Sequence, residues 1–432
     1  MHPRLSGDTR LEHWKRNLLV ICFAQLITLI GFAIYQPFIP FYIQELGATS
    51  YQEAINWQAL FETGSAVAMM IAAPIWGTLA DRHGRKVMLV RATLAGAVMA
   101  LLMSLAQSPM HLVVIRTVQG AFTGTVSAAM TLVATETPEE NLGMALGLMQ
   151  TVQLSGQATG PLIGGVLADT YGYRAVFPIS SAMMGVALVL IALLVRERFT
   201  AQARPTTTTV KKARNEALRQ VLTRNIVMMV VTLGAIRFTV AVVEPIMSLY
   251  VQSLASDHSR LATLAGMVVS ISGLTTAVAA LGIGRMADRI GQKKVLVTCI
   301  LGVAALQVPQ AYVTSAGQLI IVRALQGLFM GGAAPTANAL AARTTPAERR
   351  GTMFGISTSV QAGGRALGPM VGAGLANGFG MSSVFVITGA SFAVIGGLVS
   401  ALVRLKPEAQ PAVSLASAAP EEAGGSVSPR PG

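Results

Sequence analysis

Four ionisable side chains stand inside stretches of the chain that are otherwise apolar: Glu62, Arg116, Arg237 and Glu244. A carboxyl group held away from bulk water is costly to ionise and is suited to taking up and releasing a proton. A guanidinium stays charged at any working pH, so it holds a neighbouring carboxylate ionised until something separates the two. The set reads as proton-handling chemistry, with Glu62 and Glu244 as exchangeable groups and Arg116 and Arg237 as their charge partners. A plain structural role stays open for each. Glu62 could pair with an arginine or reach the outer surface, and Arg237 lies one helix face along from Glu244, as an ion pair would. Arg323 and Arg365 add two more guanidinium groups in apolar surroundings.

Around these charges run polar side chains at helical spacing. Gln25, Thr28, Phe32 and Gln36 form one stripe with Tyr35 beside it; Gln58 shares a face with Glu62, Ser65 and Met69; Gln119 follows Arg116; Gln153 lies between Gln150 and Gln157. Gln25, Phe32, Tyr35, Gln36, Gln58, Gln119 and Gln153 are the candidate lining of a substrate cavity. Buried amides also bond helices together, so both readings hold for any one of them. Met69, Met149 and Met247 would give such a cavity an adaptable wall.

The elements that must position these groups follow from composition. With 53% hydrophobic and 12% charged residues among 432, the chain is too apolar for an ordinary soluble protein. Twelve apolar runs long enough to cross hydrocarbon fall six between residues 17 and 195 and six between 225 and 403. The halves repeat. Gly77-Thr-Leu-Ala-Asp81-Arg82-His-Gly84-Arg85-Lys-Val-Met-Leu89 returns in register as Gly284 to Leu296, with Asp288 in the place of Asp81. Leu112 to Phe122 returns as Leu319 to Phe329, and Gly160-Pro161 as Gly368-Pro369. A parallel repeat of this size in an apolar chain points to a transporter with its site between the halves. The fold class expected is an all-α membrane protein of twelve transmembrane helices in two six-helix bundles. Residues 17–195 and 225–405 are the bundles, 1–16 a charged lead, 196–224 a basic linker and 406–432 a Pro/Ala/Ser/Gly-rich tail without the apolar content to order itself.

The net charge of +13 is read by its placement. Of the 32 Lys and Arg, only Arg174 and Arg260 fall on one side and four lie within spans; the rest share the other side with both termini. This is the positive-inside pattern, so both termini are expected in the cytoplasm and the bacterial inner membrane is the expected location. The basic loops lack aromatic partners for bases, which argues against nucleic acid. There is no Gly-x4-Gly-Lys-Ser/Thr loop for ATP, and the five histidines are read as loop or tail residues without metal-ligand spacing. Cys22 and Cys299 lie inside spans and form no disulfide framework. No cofactor is expected. The lipid bilayer, a small-molecule substrate and protons are the expected partners, with the proton gradient as energy source and a monomer as the working unit.

These motifs resemble the major facilitator superfamily, most closely its twelve-span drug:proton antiporter branch. Gly77 to Leu89 looks like that family's signature between spans 2 and 3, Leu112 to Gly124 like its span-4 arginine motif, and Gly156 to Gly165 like the span-5 Gly-x3-Gly-Pro-x2-Gly-Gly motif of exporters. The resemblance implies a cytoplasmic gate made of Gly77, Asp81, Arg82, Gly84 and Arg85. In it Asp81 would face the start of span 11 near Gly351, Arg85 would pair with Glu136 or Glu139, and Asp288 is the second copy's counterpart of Asp81. It also implies a hinge at Gly156, Gly160, Pro161 and Gly164, and a proton-relay part for Arg116. Two departures stand out: span 1 carries glutamines where many such antiporters have an acid, leaving Glu62 or Glu244 to couple protons, and Gln292 replaces the counterpart of Arg85.

The reading is a non-enzymatic, proton-coupled exporter of amphipathic compounds working by alternating access. A metabolite or sugar carrier of the same fold is the alternative, and a non-transporting receptor or scaffold the remote one. The parallel repeat is open to direct test: cysteines placed at the Asp81 and Asp288 turns should label from the same membrane face, and labelling from opposite faces would break the duplicated orientation.

Overall fold

Four glycines set the antiparallel plan. Gly84 (φ +92°) and Gly172 (φ +83°) in the first half, and their repeat counterparts Gly291 (φ +103°) and Gly380 (φ +85°), hold left-handed backbone that other residues avoid. Each serves as a one-residue joint between two long helices. The turn at Asp81 is as tight as its length allows: helix runs to His83 and starts again at Arg85.

The computed structural model describes residues 7–197, 224–345 and 350–403. Most of the expected linker and the whole tail lie outside them. Among the described residues every regular element is helical. The first half comprises α1 (Gly7–Ala33), a 3-10 turn (Gln36–Phe38), α2 (Ile39–Glu45), α3 (Tyr51–His83), α4 (Arg85–Ser104), α5 (Pro109–Phe122), α6 (Thr125–Glu136), α7 (Leu142–Tyr171) and α8 (Tyr173–Leu194). The second comprises α9 (Arg224–Leu254), α10 (Leu261–Ile290), α11 (Gln292–Gln310), α12 (Ala316–Thr344), α13 (Arg350–Phe379) and α14 (Met381–Leu402). Taking α1 with α2, and α5 with α6, gives twelve spans. Nine segments among the described residues are apolar and long enough to cross a membrane on their own. The other three, α7, α11 and α13, carry glutamines or Arg365, so their crossing depends on neighbours that cover the polar positions.

Local chemistry accounts for the ends. Ser50, Ser108 and Ser315 each accept a hydrogen bond from the backbone N–H three residues on, capping α3, α5 and α12. Pro37 and Pro40 interrupt the first span between Ala33 and Ile39. The charged lead is not separate: α1 starts at Gly7, and Trp14 is buried with Leu18 and Ile21 among residues of α4, α6, α7 and α8.

The halves pack alike: α3 on α5, α4 on α8 and α1 on α7 in the first, and α10 on α12, α11 on α14 and α9 on α13 in the second. Between them the main contacts are α7 with α10 and α3 with α13, which the repeat relates to each other. The two ends of the molecule differ. At the end bearing Gly84 and Gly291 each half has its own apolar cluster. At the opposite end one cluster crosses both halves, joining Phe38, Tyr42 and Phe61 to Ile246, Tyr250 and Leu261. There Gln252 donates to Gln44, its repeat counterpart 208 residues earlier, at 3.1 Å, and Asn377 donates to Asn56 at 2.7 Å. Asp169, at the end of α7, accepts from the first backbone N–H groups of α10, Ala262 at 3.1 Å and Thr263 at 2.7 Å. This places a carboxylate on the positive end of a helix in the other half. The molecule is closed at this end and parted at the basic one.

Hydrogen bonds to a charged group contribute about 1.5–3 kcal/mol. Asp169→Asn should therefore shift the closure equilibrium by roughly tenfold or more, read as slower disulfide cross-linking between cysteines placed at Gln44 and Gln252. An unchanged cross-linking rate would show that the carboxylate does not hold this end shut.

Candidate functional site

Close backbone approach builds the charged centre. A Cβ at Gly120 of α5 would strike the backbone of Ser65 on α3, and one at Gly64 would strike Thr117. Only glycine at these places lets α5 lie tightly on α3, and the approach brings Arg116 Nη2 to 3.7 Å from Glu62 Oε2. Arg116 Nη1 donates to Gln119 Oε1 at 2.7 Å and to the Tyr35 hydroxyl at 3.1 Å, and the Tyr35 hydroxyl donates to the same Gln119 oxygen at 3.3 Å. The guanidinium also lies 5.1 Å from the centre of the Phe61 ring. Both members of the ion pair are largely enclosed, with side chains 9% and 12% exposed.

Across the interior, α9 and α13 carry the second set. Glu244, Arg237 and Arg365 are exposed although each lies well inside its helix. Glu244 interacts through space with Arg365, Glu62, Arg237 and Arg116, groups drawn from both halves. Its exposed surface therefore faces the space between the halves, the vestibule. Arg237 and Glu244 share a face, as expected, but are not a bonded pair: among the described residues the ion pairs are Arg116 with Glu62 and Arg343 with Asp288.

Several expected lining residues are instead enclosed. Tyr35 is fully buried, 5.6 Å from the ring of Phe177, and orients Arg116 rather than facing cargo. Phe32 is half-buried against α4, next to Gly96, while Gln36 lies exposed in the 3-10 turn at the closed end. Met149 and Met247 are core residues; Met69 is exposed. Gln119 is buried and bonded to Arg116. Gln25, Gln58 and Gln153 are also buried, yet Gln25 Nε2, Gln58 Oε1 and Gln153 Nε2 have no hydrogen-bond partner in the protein. Those atoms are enclosed with their hydrogen-bonding capacity unused.

Among the described residues no hydrogen bond or ion pair joins Asp81, Arg82, Gly84 or Arg85 to the second half. Gly77, Asp81, Arg82 and Glu139 are exposed, and a Cβ on Gly77 would meet nothing within 4 Å. Among the described residues no ion pair joins Arg85 to Glu136 or Glu139. Instead Glu197, just past α8, accepts from the backbone N–H groups of Arg85 and Lys86, both at 2.8 Å. Asn17 donates to the carbonyl of Arg196 at 2.7 Å. The start of the linker is thus pinned to the first half instead of hanging free of it. In the second half Asp288 pairs with Arg343 at 3.3 Å on the surface.

Of the hinge residues, Gly156, Gly160 and Gly164 face α1, where a Cβ would collide with Leu29, Ala33 and Ile34. The contact between halves falls one step on: Gly165 meets Ala262, Gly266 meets Pro161, and Ser270 accepts from the N–H of Leu162 at 2.9 Å. Span 4, expected as one helix, breaks at Gly124 (φ +127°). Arg91, counted above with the basic loop residues, sits in α4 beneath that break. Its Nη2 donates to the carbonyls of Phe122 and Thr123 at 3.4 and 3.3 Å, and its guanidinium lies 3.5 Å from the centre of the Trp76 ring. A cation at the carbonyl end of a helix satisfies groups the break would orphan. His13, His83 and His111, read as loop or tail residues, lie in α1, α3 and α5.

A family model described as Major Facilitator Superfamily matches residues 21–264 and 235–429. The chain belongs to the Major Facilitator Superfamily. As a member of that superfamily it is a multi-pass membrane transporter and not an enzyme. It is 34% identical over 389 residues to a "Multidrug resistance protein MdtG" of Serratia proteamaculans, an alignment covering 89% of this chain and 93% of that one. It is 33% identical over 381 residues to the protein of that name in Salmonella typhimurium, covering 87% and 92%. The crystal structure of a D-xylose-proton symporter matches with a TM-score of 0.72 at 16% identity, covering 92% of this chain and 98% of that one; at that identity it speaks to the superfamily fold alone.

The paired geometry makes a stability prediction. Breaking an enclosed ion pair by removing one partner costs about 3–5 kcal/mol, because the other charge is left unbalanced. Glu62→Gln alone should lower the thermal midpoint of the purified transporter more than Glu62→Gln combined with Arg116→Gln. A double variant at least as unstable as the single one would mean that the two groups are not coupled.

Proposed function

We propose that the protein is a proton-coupled antiporter that exports amphipathic drugs or related small molecules across the bacterial inner membrane by alternating access. The observation that carries this reading is the pair of acidic groups, Glu62 and Glu244, facing one vestibule from opposite halves, each within reach of a guanidinium. A proton on Glu62 cancels its attraction to Arg116; a proton on Glu244 cancels its attraction to Arg237 and Arg365. Glu244 also feels Glu62 and Arg116 across the halves, so a proton on either acid changes the force between the halves, and proton uptake is thereby linked to their rocking. The multidrug-resistance names of the aligned relatives favour drug-like cargo.

With both termini in the cytoplasm, as the distribution of Lys and Arg favours, the basic end is the cytoplasmic one and the arrangement described is open inward. In the opposite state the Asp169, Asn56 and Gln44 contacts part. The gate residues Asp81 and Arg85 then meet the start of α13 and the acidic turn at Glu136 and Glu139. Arg116 acts as the relay that keeps Glu62 ionised between protonation events. The hinge is the glycine and proline surface of α7, from Gly156 to Gly165. The carrier works as a monomer, surrounded by lipid, without a cofactor.

The test is drug-dependent proton movement in everted vesicles under an imposed pH gradient. The parent protein should move protons when drug is added, and Glu62→Gln and Glu244→Gln should each lose most of that response. No proton movement in the parent, or full movement in both variants, would overturn the reading.

A further inference from the structure

The vestibule is not balanced in charge. In the first half the account closes: Glu62 faces Arg116, whose other contacts are Tyr35 and Gln119. In the second half a single carboxylate, Glu244, faces three guanidinium groups. Arg237 and Arg365 project from the adjacent helices α9 and α13 closely enough to repel each other, and both are exposed to the vestibule. Arg323, on α12, also feels the charge of Glu244; it donates to Gln326 at 3.1 Å, while its Nε is enclosed and has no partner. None of the three has a carboxylate within ion-pair distance among the described residues, for which the ion pairs are those of Arg116 and Arg343.

The repeat sharpens the contrast. Arg323 and Gln326 occupy the positions of Arg116 and Gln119 and make the same hydrogen bond between them, yet Val269 stands where the first half has Glu62, and Val243 where it has Tyr35. The second half lacks the acid, has the cation and carries two more. Guanidinium groups crowded about a single carboxylate repel one another, and the remedy that fits them best is a planar anion able to accept two parallel N–H bonds.

We infer that the second-half wall of the vestibule is an anion site, at which Arg237 and Arg365, with Arg323 behind them, receive the carboxylate head group of an amphipathic cargo molecule. Glu244 competes internally for the same guanidinium groups and is displaced from them when cargo arrives. The inference rests on the transport reading for the word cargo, but not on how transport is energised.

The experiment measures binding of two xanthene dyes of similar body and opposite charge, fluorescein and rhodamine 123, to the purified protein in lipid nanodiscs by fluorescence anisotropy. Fluorescein should bind at least about tenfold more tightly than rhodamine 123. Arg237→Gln and Arg365→Gln should each weaken fluorescein about tenfold and strengthen rhodamine 123, the loss of one charge-assisted contact. Glu244→Gln should tighten fluorescein several-fold. Arg365→Lys, which keeps the charge but not the fork, should fall between parent and Arg365→Gln, so that a poorly folded glutamine variant does not decide the matter. Equal or tighter binding of rhodamine 123 by the parent, or fluorescein affinity unmoved in the arginine variants, overturns the anion site. Fluorescein binding as expected, with no dye moved in vesicles, would refute transport of such cargo and leave the site standing.

Discussion

Hydrocarbon offers a charge neither water nor a hydrogen bond, and most of this architecture answers that constraint. Every span must carry its own backbone hydrogen bonds, which leaves helix as the only regular structure. Every ionisable side chain within a span must find a partner or a water-filled space. Arg116 meets the requirement with Glu62, Gln119 and Tyr35. Glu244, Arg237 and Arg365 meet it by opening on the vestibule between the halves. The vestibule is thus the condition under which these residues can exist in the spans at all, and its position follows from theirs.

Glycine makes the rest possible. Where glycines face a neighbouring backbone, helices approach more closely than side chains would allow, and polar contacts at fixed distance become possible: Gly64 and Gly120 bring Glu62 to Arg116, and Gly165 and Gly266 bring α7 to α10 near the bonded ends at Asp169 and Thr263. The same device is absent toward the basic end, where Gly77, Gly282 and Gly284 have nothing against them. Tight packing at one end and none at the other is what makes two bundles able to part at one end while remaining joined at the other.

The plan was legible because its marks are local or repeated. A positive-φ joint demands glycine wherever it occurs, so Gly84 and Gly291 announced themselves twice, and the apolar runs between them gave the spans. The arginine at 116 and the acid at 62 stood out because ionisable groups are rare in such runs. What stayed hidden were partnerships between distant residues whose types carry no warning. Tyr35 looked like cavity lining because it lies beside a polar stripe, and only the fold shows its hydroxyl bound to a guanidinium 81 residues on. Asp169 reads as an ordinary acid at a helix end, Glu197 as one more linker residue and Arg91 as a basic loop residue. Each gains its meaning from backbone groups that the fold exposes nearby. The break at Gly124 was equally silent, because its repeat counterpart Gly331 sits in the unbroken helix α12.

The duplicated halves have taken unequal shares of the electrostatic work. Both keep an arginine and a glutamine one turn apart on the fourth helix of the bundle, and both keep the hydrogen bond between them. In the first half an acid and a tyrosine close the shell around the guanidinium, and the result is a neutral, rigid group that can respond to a single proton. In the second the shell is open: valines stand in the places of both tyrosine and acid, and two extra guanidinium groups face a lone carboxylate. A neutral assembly changes little when cargo enters, whereas a positively charged one changes a great deal, because an arriving anion removes repulsion among its own walls. On the proposed reading, the asymmetry gives proton sensing to the Glu62–Arg116 wall and recognition of cargo charge to the wall that carries Arg237, Arg323 and Arg365. Glu244, in reach of both, is the residue through which each wall can feel the state of the other.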